Sequence, residues 1–446
     1  MSLSRTFAGR GRTLAFESLP ADIVSRVRTC LADYLSAAVG GHDFAWSQQA
    51  VTLAAAEAGA STVPGTAVRT SLSQAVFTGA VLGGSTSQMD THPESASHPG
   101  SAIWPALLPL AEAHDVDGGE LIAAALAGYE VNGRLGRAIF GGVKQFRFRP
   151  TGVLGAPAAA AACARLLRLD DDAAAAAIGI AANTACGLME WAKVGTTEHI
   201  FHAAFAARNA LTAVQLARAG TRSAPTALEG PDGLVATFGA PDRAALAVPG
   251  ADDTFEIEKI QHKPAPACIF VQTPCQAALE LASHPAFVPE RVRSIRIRVC
   301  APAIAYPGCD YAGVLPDIQA ARMSVQFSIA AVLVHRRITV ENWRDFRNPV
   351  AAALAAKSVL IDDPAFSRAF PAQQGAAIEI TLDDGTVLAV KRDDLMSLGP
   401  TDIAGRLHSV AALRLGENRA APLIDLVARM GSGVPVRALL EAVRLR

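Results

Sequence analysis

Two patterns of apolar and polar positions divide this chain. Through its first half, alanine-rich windows with few β-branched runs are closed off by glycine or proline. Glu120–Arg137, Gly155–Leu169, Asp170–Gly187 and Phe205–Ala219 are such windows, and each predicts a helix. The run Asp170-Asp-Asp-Ala-Ala puts acids at the positive end of its helix dipole. So much Ala and Gly implies helices that approach one another closely in a buried bundle.

Past residue 265 the pattern changes. Arg291–Val299 alternates polar and apolar residues strictly, which predicts a half-buried strand. Ala376–Leu382 alternates again, and Asp384-Gly385 turns it into Thr386–Lys391, a β-hairpin. Ala320–Val334 and Asn348–Val359 read as helices between these strands, and Pro422–Arg446 returns to amphipathic helix. The fold class is therefore mainly α. A large all-helical domain spans 1–265, completed by about 412–446, and a smaller α/β domain spans 266–411. There is no internal repeat and no low-complexity linker.

A chain of 446 residues has room for two or three domains with substantial cores. Its net charge of −1 and pI near 6.8 argue against nucleic acid and against a polybasic membrane surface. The N-terminal residues lack the apolar core of a signal peptide, and no run has the length or character of a membrane span. The seven cysteines are dispersed without a Cys-x-x-Cys pair, which speaks against a thiolate-held metal and for a reducing, cytoplasmic setting.

The densest chemistry lies in Gln88–Gly100, where Asp90, Thr91, His92 and His98 precede an apolar helix. Asp90, His92 and His98 suit proton movement around a polycarboxylate, and a helix N-terminus favours an anion. The competing reading is a polar loop whose Ser97 or Ser101 caps the next helix. Three further constellations stand out. Arg147 and Arg149, ahead of Pro150-Thr-Gly, offer bidentate carboxylate clamps, or are surface arginines beside a helix start. Lys193, His199 and His202 flank a Gly-Thr-Thr turn, and His199 and His202 share a helix face. No third ligand is near that pair in sequence, so no metal site is assigned, and an ordinary buried histidine is the alternative. Lys263 sits next to rigid Pro264 and Pro266 at the junction of the two domains, as a substrate clamp, a proton carrier or a solvated lysine. Cys268 nearby is an acid/base thiol or a small buried residue.

The ordered set of segments resembles the MmgE/PrpD family along nearly the whole chain. It comprises Asp90–Gly100, Ala127–Val131, Pro150–Gly152, Phe205–Ala210, Leu228-Glu-Gly, Lys263–Cys268 and Ala321–Ser328. The resemblance implies an all-helical larger domain, a smaller α/β lid, a cleft between them and a homodimer. It also implies cofactor-free chemistry on a small di- or tricarboxylic acid: dehydration as the default, epimerisation, isomerisation or decarboxylation as the alternative. A non-catalytic metabolite-binding member is a further alternative. Asp90, Thr91 and His98 match the family's active-site loop and Lys263 its junction lysine. The family tyrosine ahead of the Ala-Arg helix falls best on Tyr311, with Tyr306 as the second candidate.

Two positions depart from the family pattern: Arg149 stands before Pro-Thr where a histidine is usual, and His199 stands where many members have lysine. Lys193 is placed to compensate. The resulting expectation makes His98 the principal acid/base and Asp90 the group that orients it. Lys263, Arg149 and His199 hold carboxylates, Tyr311 is a second proton donor, and Thr91, His92, Lys193 and Cys268 contact substrate.

Overall fold

The computed structural model describes residues 2–141, 146–238 and 254–445. Two hydrophobic cores organise them. The larger is built by the helices Ala21–Gly40, Leu72–Ser85, Gly100–Ala113, Gly118–Phe140, Pro150–Leu166, Asp171–Ala182 and Ile200–Arg218. Small residues set the spacing of these helices. A Cβ on Gly155 would stand 3.0 Å from the Ala102 methyl and 3.1 Å from that of Ala206, so three helices cross there at near backbone contact. Asp170 caps Asp171–Ala182 through the Ala173 N–H. The chain comes back to this core at Pro400–Leu415, which buries Ile403, Leu407 and Ala411 against it, and finishes with Glu417–Ala428 and Val436–Val443.

The smaller core lies under a four-stranded sheet. Its order is Ser358–Asp362, Val292–Val299, Ala376–Leu382, Val387–Arg392, with the first pair parallel and the others antiparallel. Val292, Ile295, Ile297 and Val299 point into the core, where the helices Gln272–Ala282 and Val325–His335 pack. The alternation Ser294–Val299 is thus the pleat of a one-sided sheet, and it slips where the register shifts between Val292 and Ser294. Gly385 turns the hairpin at φ 86°, a conformation that costs glycine little.

The molecule is mainly α with a smaller α/β unit. Three expected helices differ in detail, and one of them, Pro422–Arg446, is two helices separated between Ala428 and Val436. Asn348–Val359 stops at Ala356, and Ser358–Asp362 becomes the parallel edge strand, because Val359, Leu360 and Ile361 pair with Arg296–Arg298. Ala320–Val334 is broken at Ser324, whose hydroxyl caps the second helix through the Phe327 N–H. Among the described residues, no helix is long and apolar enough to cross a membrane.

Candidate active site

Three backbone tethers assemble a site between the two cores. Thr91 and Gln261 exchange hydrogen bonds of 2.9 and 2.8 Å, which sets the Asp90–His98 loop beside Lys263. Arg149 N–H bonds Gly187 O at 2.7 Å, so the Arg149 helix start lies against the segment carrying Trp191 and His199. Cys268 N–H bonds Arg322 O at 2.9 Å, joining the junction to the smaller core. The result is a cavity of about 60 Å³, walled by His98, Arg149, Trp191, His199, Lys263, Cys268, Tyr306, Gln319 and Arg322, among others.

The wall is cationic. Lys263, Arg149 and Arg322 line it, no Asp or Glu does, and none of the three has an ion-pair partner among the described residues. Two of them hang on the C-terminal end of the helix Leu72–Ser85, where carbonyls lack helical partners. Arg322 donates to Ser85 O at 2.8 Å and Lys263 to Ser87 O at 3.3 Å. Ser87 itself holds φ 58° and Ala96 φ 49°, so two non-glycine residues at the wall sit in the left-handed region. Arg149 donates to His199 O at 2.6 Å. Burial draws the Lys263 ammonium down to about 8, and draws Arg149 and Arg322 to about 10 and about 9, leaving both guanidinium groups charged at neutral pH.

His98 is held in one tautomer. Its Nδ1 lies 2.9 Å from Asp90 O and 3.2 Å from Thr91 Oγ1. A carbonyl only accepts, so Nδ1 carries the proton and Nε2 the lone pair. Burial, then the charges of Lys263 and Arg149, push its pKa well below the usual histidine value, which keeps the ring neutral. His199 is likewise neutral, lowered by burial and by Arg149, and its ring stacks on Trp191 at 3.8 Å. Several buried polar atoms of the wall have no protein partner among the described residues: Arg322 Nε and Nη2, His199 Nδ1, Gln319 Nε2 and Trp191 Nε1. Buried donors in that state cost free energy unless a ligand takes them up.

Asp90 acts from behind the wall. Its carboxylate accepts from Tyr129 Oη at 2.5 Å and Gly100 N–H at 3.0 Å, and burial followed by the nearby Asp33 raises its pKa to about 6. The helix N-terminus at Gly100 therefore already holds an anion, the protein's own. A Cβ on Gly100 would fall 2.7 Å from Asp90 Oδ2, which explains glycine after His98-Pro99. Neither serine takes the cap: Ser97 donates to Asn132 and Ser101 to His98 O.

The other candidates divide. Thr91 is buried behind His98 and off the cavity wall. His92 bonds Glu256 at 3.0 Å within the helical core and does not reach the cavity. Lys193 is exposed and paired with Glu190. Tyr311 is 43% exposed and donates to Val314 O, while Tyr306 lines the cavity. Arg322 and Gln319 were not singled out from sequence. Their signal was an arginine and a glutamine in an otherwise apolar helical stretch, Ile318–Met323.

The profile of the MmgE/PrpD N-terminal domain matches residues 5–246, and that of the MmgE/PrpD C-terminal domain matches residues 265–397. A cis-aconitate decarboxylase of Aspergillus terreus is 25% identical over 456 aligned positions, covering 96% of this chain and 93% of that protein. A cis-aconitate decarboxylase-like protein of Aspergillus oryzae is 34% identical over 216 positions, 45% of this chain and 44% of its own. The mitochondrial 2-methylcitrate dehydratase of Yarrowia lipolytica is 32% identical over 132 positions, 28% of this chain and 25% of its own.

Proposed function

Because the chain belongs to the MmgE/PrpD family, we propose that it is a lyase that acts on a small di- or tricarboxylic acid with its own side chains, by proton transfer next to a carboxylate. The observation that carries this reading is a neutral His98 facing a cavity lined by three cations and by no carboxylate. Lys263, Arg149 and Arg322 bind the carboxylates. His98 Nε2 takes the proton from the carbon alpha to one of them. The enediolate that develops carries an extra negative charge, and cations already in place stabilise it without reorganisation. Tyr306, whose phenol is kept protonated by burial and by the neighbouring Cys268, is the second proton donor. In dehydration it protonates the departing hydroxyl.

A second reading keeps the same site and replaces loss of water by loss of CO2. It is favoured by the end-to-end similarity to a decarboxylase, whereas the dehydratase matches about a quarter of the chain. In this case one substrate carboxylate leaves as CO2, its electron pair stays on carbon, and a protonated group of the wall quenches the carbanion.

Proton NMR in D2O with citrate-like, cis-aconitate-like and succinate-like acids tests both. Solvent deuterium at one carbon with loss of water supports dehydration, and the same with CO2 release supports decarboxylation. Exchange without loss of either points to an epimerase or isomerase. No exchange with any of these acids, together with tight binding of one of them, would leave a metabolite-binding protein and sink the lyase reading.

A further inference from the structure

Behind the cavity wall, two thiols face each other. Cys268 lines the cavity, Cys309 is fully buried behind it, and their sulfurs are 3.8 Å apart. Both backbones are fastened to the same short stretch: Cys268 N–H to Arg322 O and Val325 N–H to Cys309 O, each at 2.9 Å. That stretch holds the pair in register from both sides. We propose that Cys268 and Cys309 are a redox pair, in which a small hydroperoxide entering the cavity oxidises Cys268 and Cys309 resolves it to a disulfide that disables the site.

Three features support this. A cavity of about 60 Å³ has room for something the size of hydrogen peroxide, since roughly 10–15 Å³ of such space holds a water. The hydrogen bond from Cys309, with help from the Phe270 backbone and the Lys263 charge, draws the Cys268 thiol below its ordinary pKa against the effect of burial. Burial pushes Cys309 the other way, so the two thiols have distinct roles. The thiolate is the reactive form, and Cys268 is the thiol that meets solvent. A disulfide needs the sulfurs roughly 1.7 Å closer than they stand, given an S–S bond near 2.05 Å.

The chemistry balances with one peroxide. The Cys268 thiolate attacks one peroxide oxygen, an S–O bond forms, the O–O bond breaks, and the departing hydroxide takes a proton to leave as water. Cys309 then loses its proton and attacks the sulfenic sulfur. The S–S bond forms, the S–O bond breaks and a second water leaves. Two thiols are oxidised to a disulfide and one peroxide is reduced to two waters. Linking draws Cys268 toward Cys309, and its backbone N–H, bonded to Arg322 O, pulls on Arg322.

The test treats the reduced full-length protein with hydrogen peroxide, alkylates it under denaturing conditions and maps the peptides. The expected result is a Cys268–Cys309 linked peptide that dithiothreitol removes. In Cys309→Ser, Cys268 should instead run on to sulfinic acid, which dithiothreitol does not reduce. Two alkylatable thiols after treatment, or Cys268 sulfinic acid without the link in the unaltered protein, would overturn the proposal. The map of the unaltered protein decides even if Cys309→Ser fails to fold.

The activity readout rests on the lyase reading above. Turnover should fall roughly 100-fold on linking, the scale of an ångström of misplacement in a site, and recover on reduction. A link without loss of turnover overturns the disabling step. The link itself is read by mass, so failure of the lyase reading leaves that part of the test standing.

Discussion

The carbonyl oxygen of Asp90 lies 2.9 Å from His98 Nδ1, and the carboxylate of the same residue is held by Tyr129 and by the Gly100 N–H. One residue thereby fixes both the tautomer of His98 and the start of the helix that follows it. The Thr151 hydroxyl, 3.1 Å from the His98 N–H, pins the loop from the other side. A base whose proton sits on the far nitrogen is ready to accept one on the near nitrogen.

His98→Gln should therefore lose turnover by about 10²–10⁴-fold, the usual contribution of a general base, while circular dichroism and thermal unfolding stay close to those of the parent. Retention of most activity would remove His98 from the mechanism.

The pH profile follows from two groups. His98 must be neutral to act as base, and its pKa is lowered, so kcat/KM should rise on the acid side at a pH below the usual histidine range. Lys263 must be charged to hold a carboxylate, and with its pKa drawn to about 8 the cation is lost as pH rises through that value. A bell with its alkaline limb near pH 8 is expected. In Lys263→Arg the charge persists at higher pH, so whatever activity remains should lose that limb. An unchanged limb in the variant would assign it to another group.

Much of this site was legible in the sequence because its chemistry is locally dense. Asp90 and His98 share one loop, and Lys263 is followed by two prolines at a change of pattern. What joins them was not legible. The Thr91–Gln261 bridge links positions far apart in sequence, and such pairing follows from the packed fold rather than from local propensity. Arg322 was hidden for a related reason: periodicity shows that its segment is helical but not that its guanidinium reaches Ser85 across the two cores. The edge strand Ser358–Asp362 was masked by the alanine-rich helix running into it, and only its parallel partner Val292–Val299 makes it a strand. Tyr306 and Tyr311 lie so close in sequence that spacing could not choose between them.

The structure separates those two tyrosines. Tyr306 lines the cavity, packed between Phe146 and Phe270 at ring distances of 5.4 Å, whereas Tyr311 turns its hydroxyl to Val314 O. Tyr306→Phe should lower kcat by about 10²-fold or more as a proton donor is lost, with little change in stability. Tyr311→Phe should leave kcat within a factor of about two, since an exposed hydrogen bond is worth roughly 1 kcal/mol and serves the loop alone. The opposite ranking would return the role to Tyr311.

Glu256 supports the loop from the helical core. Burial alone would raise its pKa, but the hydrogen bond and charge of His92, with Arg137 and Lys259, outweigh it and lower the value from 4.5 to about 2. A carboxylate with a depressed folded pKa adds stability that is complete above 4.5 and is lost as pH falls toward 2. Glu256→Gln should cost roughly 3 kcal/mol at neutral pH by stranding His92 and Arg137. Urea midpoints of parent and variant should converge as the pH drops through that window. A constant gap across it would mean that Glu256 is not the acid-sensitive group.

Arg149 and Arg322 are expected to divide binding from architecture. Each is buried, and a charge-assisted hydrogen bond to a carboxylate contributes about 1.5–3 kcal/mol, so Arg149→Lys and Arg322→Lys should each lower kcat/KM by roughly 10–100-fold. Lysine keeps the charge but cannot reproduce the planar fork. The two variants part on stability. Arg322 also donates to Ser85 O and lies 4.8 Å over the Phe44 ring, tying the smaller core to the helical one, so its replacement should lower the unfolding midpoint as well. Arg149 makes one such bond, to His199 O, and its variant should unfold nearer to the parent. If the substrate's carboxylates bridge the two guanidinium groups, the double variant should lose less than the sum of the single losses in transition-state free energy, because the second substitution acts on an anion already loosened. Strictly additive losses would place the two arginines on separate, independent carboxylates.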